Sequence, residues 1–347
     1  VIASPALRLI LDSDALVANW RWLAARGGGA ACGAAVKADG YGLGAQAVVE
    51  RLARAGCRDF FVATWDEAER LGPLPEGCTL SVLHGVREAD LAAAIAIDAR
   101  PVLNSPEQVT RWTQVAPGRP CDVMIDTGMN RLGLTPEQAL SGLLDGLQIE
   151  TLMSHLACAD EDAHPMNAAQ LGRFTELRQR IPARRYSLAN SAAICAGEAY
   201  AFDLTRPGIS LYGGIQRAEA EGHIRAVVQP EAEVLQVRDV QAGDSIGYGA
   251  MFVAPQAMQV AILNLGYADG YLRCFAGHGR VRAGDAARPV LGRVSMDLIA
   301  VDVTGLGVAQ GDWLPIDYDL SSASAATGLS QYELLTGLGS RYQRRWT

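Results

Sequence analysis

The chain contains a single lysine. Of its thirty basic residues the other twenty-nine are arginines, and the lysine, Lys37, stands in the stretch AAVKADGYGLGA at residues 34–45. Arginine carries charge, binds phosphate and covers apolar surface with its stem. It cannot release its proton at a useful pH, and it is a poor nucleophile. A lysine amine can be made neutral and reactive by burial, which imine formation and proton abstraction both require. A chain that uses arginine wherever either residue will serve, yet keeps one lysine, marks that residue as a candidate catalytic amine. A chance surface leftover is the alternative. The three glycines of GYGLG that follow let backbone approach a ligand closely.

Polar residues recur at comparable places further along. Short apolar runs alternate with segments of helical spacing from Leu16 to about Gly214. The runs are AAV before Lys37, DFFVAT at 59–64, TLSVLHG at 79–85, RPVLN at 100–104, DVMID at 122–126, ETLMSHLA at 150–157, RYSLAN at 185–190 and DLTRPG at 203–208. Lys37, His84, Asn104, Asp126, His155, Asn190 and Arg206 each fall at or just past the end of a run. Eight such units predict a (β/α)8 barrel, in which strand ends converge on one mouth. Two helix starts are explicit: Asn104-Ser105-Pro106-Glu107 and Thr135-Pro136-Glu137 each set a proline just inside the first turn. Barrels commonly bind phosphate on the loops after strands seven and eight. Here those loops are NSAAI at 190–194 and RPGISLYGG at 206–214. A lysine at strand one and a phosphate cradle opposite are what pyridoxal phosphate would need.

From residue 223 the texture changes to short β-rich runs broken by Gly-Asp turns, with one helical piece near Tyr332–Leu338. The expected organisation is therefore a barrel over 11–222 and an all-β domain over 223–347, with residues 1–10 lending it a strand. At 347 residues, 49% hydrophobic and 20% charged, the chain can bury a sizeable core. A net charge of −8 argues against nucleic acid or an anionic membrane as partner. No apolar run reaches membrane-spanning length, and the start lacks the basic-then-apolar pattern of a secretory leader. Seven cysteines, scattered singly with no CxxC pair, read as reduced thiols of a cytoplasmic protein and give no expectation of a metal.

AVKADGYGLG, IDTGMNRLGL, SHLACADED, LANSAAI, RPGISLYGG, GYGAMF, GYADGY and GRVSMD resemble, in order, the motifs of the alanine racemase family. The resemblance covers nearly the whole chain. It implies a barrel that binds pyridoxal phosphate, a C-terminal β domain, and a homodimer whose sites draw on both subunits. Lys37 would carry the cofactor and act as one catalytic base; Tyr248 would be the other, serving the partner subunit's site. Arg206 would face the pyridine nitrogen, with His155 supporting it by hydrogen bonding. Tyr41, Asn190, Ser191, Gly208, Ile209 and Tyr342 would complete the cofactor site. Arg131 and the Met296 N–H would hold the substrate carboxylate. Asp160, Tyr267, Arg273, Arg293 and Asp297 would line the corridor leading in. A lysine and a tyrosine both titrate near ~10 in water, so such a pair of bases needs tuning by its surroundings.

Two positions depart from the family pattern. Many members carry a carbamylated lysine seven residues before the arginine of GMNRLG, steadying that arginine with its negative charge; here the position is Met124. Arg131 must then be oriented otherwise, by Asp126 or by a backbone carbonyl. Some members also have a tyrosine directly after a C-terminal serine. Here Arg341 follows Ser340 and the tyrosine comes one later, at Tyr342. The activity implied is interconversion of L- and D-alanine. A broader amino-acid or serine racemase and a non-catalytic pyridoxal-phosphate carrier are the competing readings; the motifs beyond residue 245 speak against the carrier.

Overall fold

The computed structural model describes residues 4–347. Two compact units emerge, Asp14–Arg225 and a second made of Val1–Ser13 with Ala226–Thr347. In chain order the strands are β1 (Leu7–Leu11), β2 (Ala31–Cys32), β3 (Ala34–Ala35), β4 (Asp59–Val62), β5 (Thr79–Val82), β6 (Arg100–Leu103), β7 (Cys121–Met124), β8 (Ile149–Met153), β9 (Arg185–Ser187) and β10 (Leu204–Thr205). Strands β3 to β9 form one parallel sheet in chain order, and β10 pairs in parallel with β2. Gly33 alone separates β2 from β3. Its N–H donates to the Thr205 carbonyl at 2.9 Å, while Ala35 donates to Pro207 and Arg206 to Ala189, each at 2.9 Å. β2 and β3 are thus one strand bent at a glycine, and the sheet closes into a (β/α)8 barrel. All eight apolar runs of the sequence supply its strands. The bend requires glycine: a methyl group on Gly33 would lie 2.7 Å from the Asp59 carbonyl oxygen and 2.9 Å from the Phe61 ring.

Helices cover the barrel outside, so strands such as Asp59-Phe60-Phe61-Val62 are buried on both faces. Ser105 caps the helix Pro106–Val115 by accepting the Gln108 N–H, with proline in the first turn. That helix turns Val109 and Trp112 inward; Trp112 is fully buried, and truncating such a residue costs about 3–5 kcal/mol. Thr135 caps Pro136–Ala139 with a reciprocal bond from Gln138.

Charge also fills the barrel interior. Arg185 grips Asp59 with both arms, Nη1 to Oδ2 at 3.0 Å and Nη2 to Oδ1 at 2.6 Å. Asp122, fully buried one layer further along, accepts from the Ser81 hydroxyl at 2.6 Å and from Arg100 at 3.5 Å. Burial pushes the Asp122 carboxyl up, against Arg100 and Ser81. Asp59 goes the other way. Burial works to raise it, but the hydrogen bonds and charge of Arg185, with Thr79 and Arg100, outweigh burial and hold it below the usual carboxylate range.

The second unit is built on β11 (Val228–Val240), followed by β12 (Ser245–Ile246), β13 (Phe252–Val253), β14 (Met258–Leu263), β15 (Arg280–Ala283), β16 (Ala286–Leu291), β17 (Ile299–Asp302), β18 (Trp313–Pro315) and β19 (Gln343–Trp346). β11 pairs antiparallel with β1 and β18 over its first half and with β14 over its second, with a register shift between Val234 and Gln236. β1 pairs in parallel with β19. Two helices stand beyond the strands, Leu320–Thr327 and Gln331–Thr336. The sequence suggested only the second, because SSASAAT lacks an apolar stripe; Asp319 and left-handed Gly328 close the first at its two ends.

Replacing Arg185 with methionine strands the Asp59 carboxylate in the barrel and is expected to destabilise the unit by about 3–5 kcal/mol at pH 7. Because the Asp59 carboxyl is depressed in the fold, the stability it contributes is present above its ordinary value near ~3.9 and lost as pH falls through the lower folded value. Urea unfolding at several pH values should therefore show the gap between Arg185→Met and wild type narrowing below pH ~4. A constant gap would refute this account of the pair.

Candidate active site

Lys37 stands two residues past the end of β3, and the backbone after it is unusual. Ala38, Asp39, Gly40 and Tyr41 are left-handed in succession, with φ of 52°, 52°, 62° and 56°. Each non-glycine residue held there costs about 1–2 kcal/mol. Such strain persists only where the surroundings over-determine it. Val36 accepts the Gly40 N–H, Ala38 the Gly42 N–H and Asp39 the Gly44 N–H, each at 2.8 Å, closing the turn on itself. The Asp39 carboxylate takes the Ala45 N–H at 2.8 Å, starting the helix Ala45–Ala55.

Cations gather at this end of the barrel. Burial lowers the Lys37 amine from its ordinary value, the Arg131 charge lowers it further, and Glu67 opposes them. His155, just past β8, is held neutral: burial first, then Arg206, Arg131 and Lys37, push its imidazole down to about 3. Arg206, past β10, is buried; that burial lowers it to about 10, opposed by Asp122, so it stays charged at neutral pH. Its guanidinium donates to the Ser187 hydroxyl and, at 2.6 Å, to the Ser154 carbonyl. Among the described residues His155 and Arg206 share no hydrogen bond; the Arg206 guanidinium bonds instead the carbonyl of Ser154, one residue earlier.

Asp126 does not hold the Arg131 guanidinium. Its two oxygens accept backbone N–H groups of Gly128, Met129 and Arg131 at 2.8, 2.8 and 3.0 Å. Burial works to raise this carboxyl, but N–H groups from Gly128, Asn130, Arg131 and Met129 outweigh it and keep it low. Asp126 therefore shapes the loop that carries Arg131. Among the described residues the guanidinium has no hydrogen bond or ion pair. Met124 is buried in β7.

On the strands that close the barrel beside β3, Asn190 caps the helix Ser191–Ala196, accepting the Ala193 N–H at 3.0 Å. The Ser191 hydroxyl accepts the Gly208 and Ser210 N–H groups at 2.9 and 3.3 Å. Two buried donors stand beside them: the Ile209 N–H and the Ser210 hydroxyl have no partner among the described residues. The Tyr41 ring stacks on Tyr212 with centroids 4.6 Å apart, and the Tyr212 hydroxyl donates to the Ala35 carbonyl at 2.8 Å. That places the Tyr41 hydroxyl over Gly208, where an added methyl group would overlap it. A rigid cluster of hydroxyl and N–H donors lined by glycine fits a phosphate group.

The remaining expected residues lie on the β unit, apart from Asp160, which is exposed in the loop after β8. Tyr248 sits in the turn between β12 and β13 and is 72% exposed. The Arg293 guanidinium lies beside Gly249 in that turn. Arg273 stacks over the Tyr267 ring, 5.0 Å from its centroid. The Met296 carbonyl accepts the Ala268 N–H at 3.0 Å, while its own N–H has no partner among the described residues. Arg341 donates to Asp269 at 2.6 Å and to Asp297 at 2.8 Å. Tyr342 is buried in this unit near Tyr318, Asp269 and Tyr271, and its phenol is pushed well above the ordinary value by that burial.

Several residues that hold the barrel mouth went unread in the sequence. Buried Gln170 donates to the Thr127 hydroxyl at 3.1 Å and the His155 carbonyl at 2.9 Å, and accepts the Ala157 N–H at 2.9 Å. Its only sequence signal is a polar residue on an otherwise inward helical position. Cys158, Glu161 and His164 bring potential ligand atoms within 4.8 Å of one another. His164 Nδ1, however, accepts the Met166 N–H at 3.2 Å, which leaves the proton on Nε2 and no lone pair for a metal.

Comparison with known proteins agrees with this architecture. The family model described as alanine racemase, N-terminal domain, matches residues 11–216, and that described as alanine racemase, C-terminal domain, matches 227–346. The chain is 44% identical over 352 residues to an alanine racemase of Dinoroseobacter shibae, covering 97% of each chain. It is 41% identical over 362 residues to one of Methylobacterium nodulans, covering 99% of this chain and 97% of that one. Its fold superposes with a TM-score of 0.91 on a crystal structure of alanine racemase from Bartonella henselae with covalently bound pyridoxal phosphate. That pair is 34% identical, over 99% of this chain and 100% of the other. The biosynthetic alanine racemase of Pseudomonas aeruginosa superposes with a TM-score of 0.88 at 30% identity, over 99% and 100%.

Replacing Gly208 with alanine is expected to push the Tyr41 hydroxyl out of the donor cluster. Losing one charge-assisted bond costs about 1.5–3 kcal/mol, so affinity for pyridoxal phosphate should fall roughly ten- to hundredfold. Absorbance titration of the cofactor-free variant measures this, with circular dichroism as the check on folding. Unchanged affinity would remove the cradle from the argument.

Proposed function

The chain belongs to the alanine racemase family, and from that premise we propose how its residues divide the work of interconverting L- and D-alanine. It is a pyridoxal-phosphate-dependent racemase. Inversion at Cα needs a proton removed from one face and another delivered to the opposite face, hence two groups. Lys37 is the base on one face and Tyr248 on the other. The observation that carries this reading is the sole lysine: burial and Arg131 lower its amine, and it stands on the turn that sets Tyr41 over the phosphate donors.

Bound pyridoxal phosphate supplies an electron sink conjugated to the substrate Cα. Tyr41, Ser191, Gly208 and Ile209 would hold its phosphate, with Asn190 fixing the helix start beside them. Arg206 would face the pyridine nitrogen and, still a cation at neutral pH, would keep its own protons, leaving that nitrogen unprotonated and the electron sink weaker, which would limit side reactions such as transamination. His155, neutral throughout the working range, adds bulk and polarity without a competing proton. Arg131, with a guanidinium uncommitted among the described residues, and Met296, through its N–H, bind the substrate carboxylate. Tyr267, Arg273, Arg293, Asp160 and Asp297 line the approach.

Homodimerisation belongs to this reading. A base that is 72% exposed works poorly in bulk water. The hairpin of Tyr248 also exposes Met251 (65%) and Val253 (55%). Apolar side chains grouped in this way fit a protein partner, and a second copy would receive Tyr248 into its own barrel site. The cytoplasm is the proposed location, with D-alanine for peptidoglycan as the product's use. All seven cysteines stand as free thiols, as is usual in a reducing compartment. No helix among the described residues is long and apolar enough to cross a membrane.

Incubated with either enantiomer of alanine in D2O, the wild-type protein should invert it and label Cα with deuterium. Lys37→Ala is expected to abolish labelling from both enantiomers, whereas Tyr248→Phe should leave exchange from only one, with turnover down about 10²–10⁴-fold. Equal residual exchange from both in Tyr248→Phe would exclude tyrosine as the second base. Met251→Asp is expected to shift the protein to monomers in light scattering, activity falling in parallel. A fully active monomer would sink the shared-site reading.

A further inference from the structure

Nothing in the turn itself accounts for its left-handed run. The bonds from Gly40, Gly42 and Gly44 close it, but the Ala38 N–H, turned outward by the left-handed φ of 52°, finds no carbonyl. It donates instead to Glu67 Oε1 at 2.7 Å. The other carboxylate oxygen, Oε2, accepts the Ala63 N–H at 2.6 Å, just past β4. One side chain thus bridges the ends of two neighbouring barrel strands. Glu67 is itself fixed: its N–H donates to the Thr64 hydroxyl at 3.2 Å, in the first turn of the helix Trp65–Leu71. β3 and β4 are joined below this bridge, Val36 donating to the Phe61 carbonyl at 2.8 Å.

We propose that Glu67 is the positioning residue of the catalytic amine, a two-pronged clamp that holds the strained turn in the conformation aiming Lys37 and Tyr41 into the barrel mouth. The inference rests on the reading of Lys37 as a base and extends it to a residue that touches neither substrate nor cofactor. A carboxylate suits the task because two N–H groups need two acceptors, each at the end of a fixed span. Glutamine offers one acceptor and faces the second N–H with a donor. Aspartate keeps the charge but is one methylene short of bridging the strands. Without the clamp the turn is free to relax toward right-handed backbone, and the amine and the Tyr41 hydroxyl swing together.

Because the chain has one lysine, protein grown on lysine labelled with carbon-13 at the ε position gives one side-chain resonance, read without any cofactor. In Glu67→Gln that resonance is expected to broaden or split, since the turn samples more than one conformation. Its titration should also move down, because an anion beside the ammonium is lost while Arg131, and beyond it Arg206, remain. Glu67→Asp should broaden the resonance as well. In the loaded enzyme both variants should lose about ten- to hundredfold in kcat with KM for alanine nearly unchanged, as expected for a misplaced group. Ser105→Ala, which removes the cap of another barrel helix and leaves both clamp bonds and their support intact, should lower the melting temperature while keeping kcat within about twofold of wild type. Full activity in Glu67→Asp, a sharp unshifted resonance in Glu67→Gln, or an equal loss of kcat in Ser105→Ala would each overturn the clamp. The resonance decides it on cofactor-free protein, whereas failure of wild type to racemise alanine would defeat the functional reading instead.

Discussion

Like charges crowded into a place with little water govern the barrel mouth. Lys37, Arg131 and Arg206 converge there, and the carboxylates nearest them are committed elsewhere: Glu67 and Asp126 to backbone N–H groups, Asp122 to Ser81 and Arg100. Burial first, and then the neighbouring positive charge, keeps His155 neutral and lowers the lysine amine, while burial lowers even Arg206. A phosphate and a carboxylate are what such a site binds best, so the same crowding that tunes the amine also selects anionic ligands. The cost of assembling it falls on the scaffold. The paired charges lower in the barrel, Asp59 with Arg185 and Asp122 with Arg100, belong to a fold that tolerates interior charge when each group is matched.

The closure of the sheet explains why so little chain is needed to build this. Each strand delivers one or two residues to a common plane, and a bend at Gly33 lets the first strand serve both its neighbours. The β unit reuses the opposite solution. Its long strand β11 changes partners partway along, at a bulge, so a single segment carries both halves of the sheet. The turns hung from that sheet expose side chains that a self-contained domain would hide.

Much of this architecture was legible in the sequence, for identifiable reasons. Parallel strands buried on both faces read as unbroken apolar runs, so DFFVAT and TLSVLHG announce themselves, and Ser-Pro and Thr-Pro mark helix starts by local chemistry. Lys37 could be found because composition isolates it, whatever its neighbours. Glu67 could not: glutamate in the first turn of a helix is ordinary, and its function lies in a backbone N–H twenty-nine residues away. Gln170 was invisible for the same reason, and the helix Leu320–Thr327 because small residues leave no stripe. The hydrogen bond expected between His155 and Arg206 failed for a different one. Motif matching carries over which residues are neighbours, but not which atoms pair: the guanidinium takes the Ser154 carbonyl, a backbone acceptor that no motif displays.

Met124 has one further consequence. A racemase that steadies its substrate arginine with a carbamylated lysine borrows part of its active site from dissolved carbon dioxide, and its readiness then follows bicarbonate supply and pH. This chain puts a buried thioether at that position, and its one lysine, Lys37, stands elsewhere. Its arginine loop is set instead by an aspartate gripping backbone, a device complete as soon as the chain folds. On that reading, carbon dioxide has no part in setting this loop.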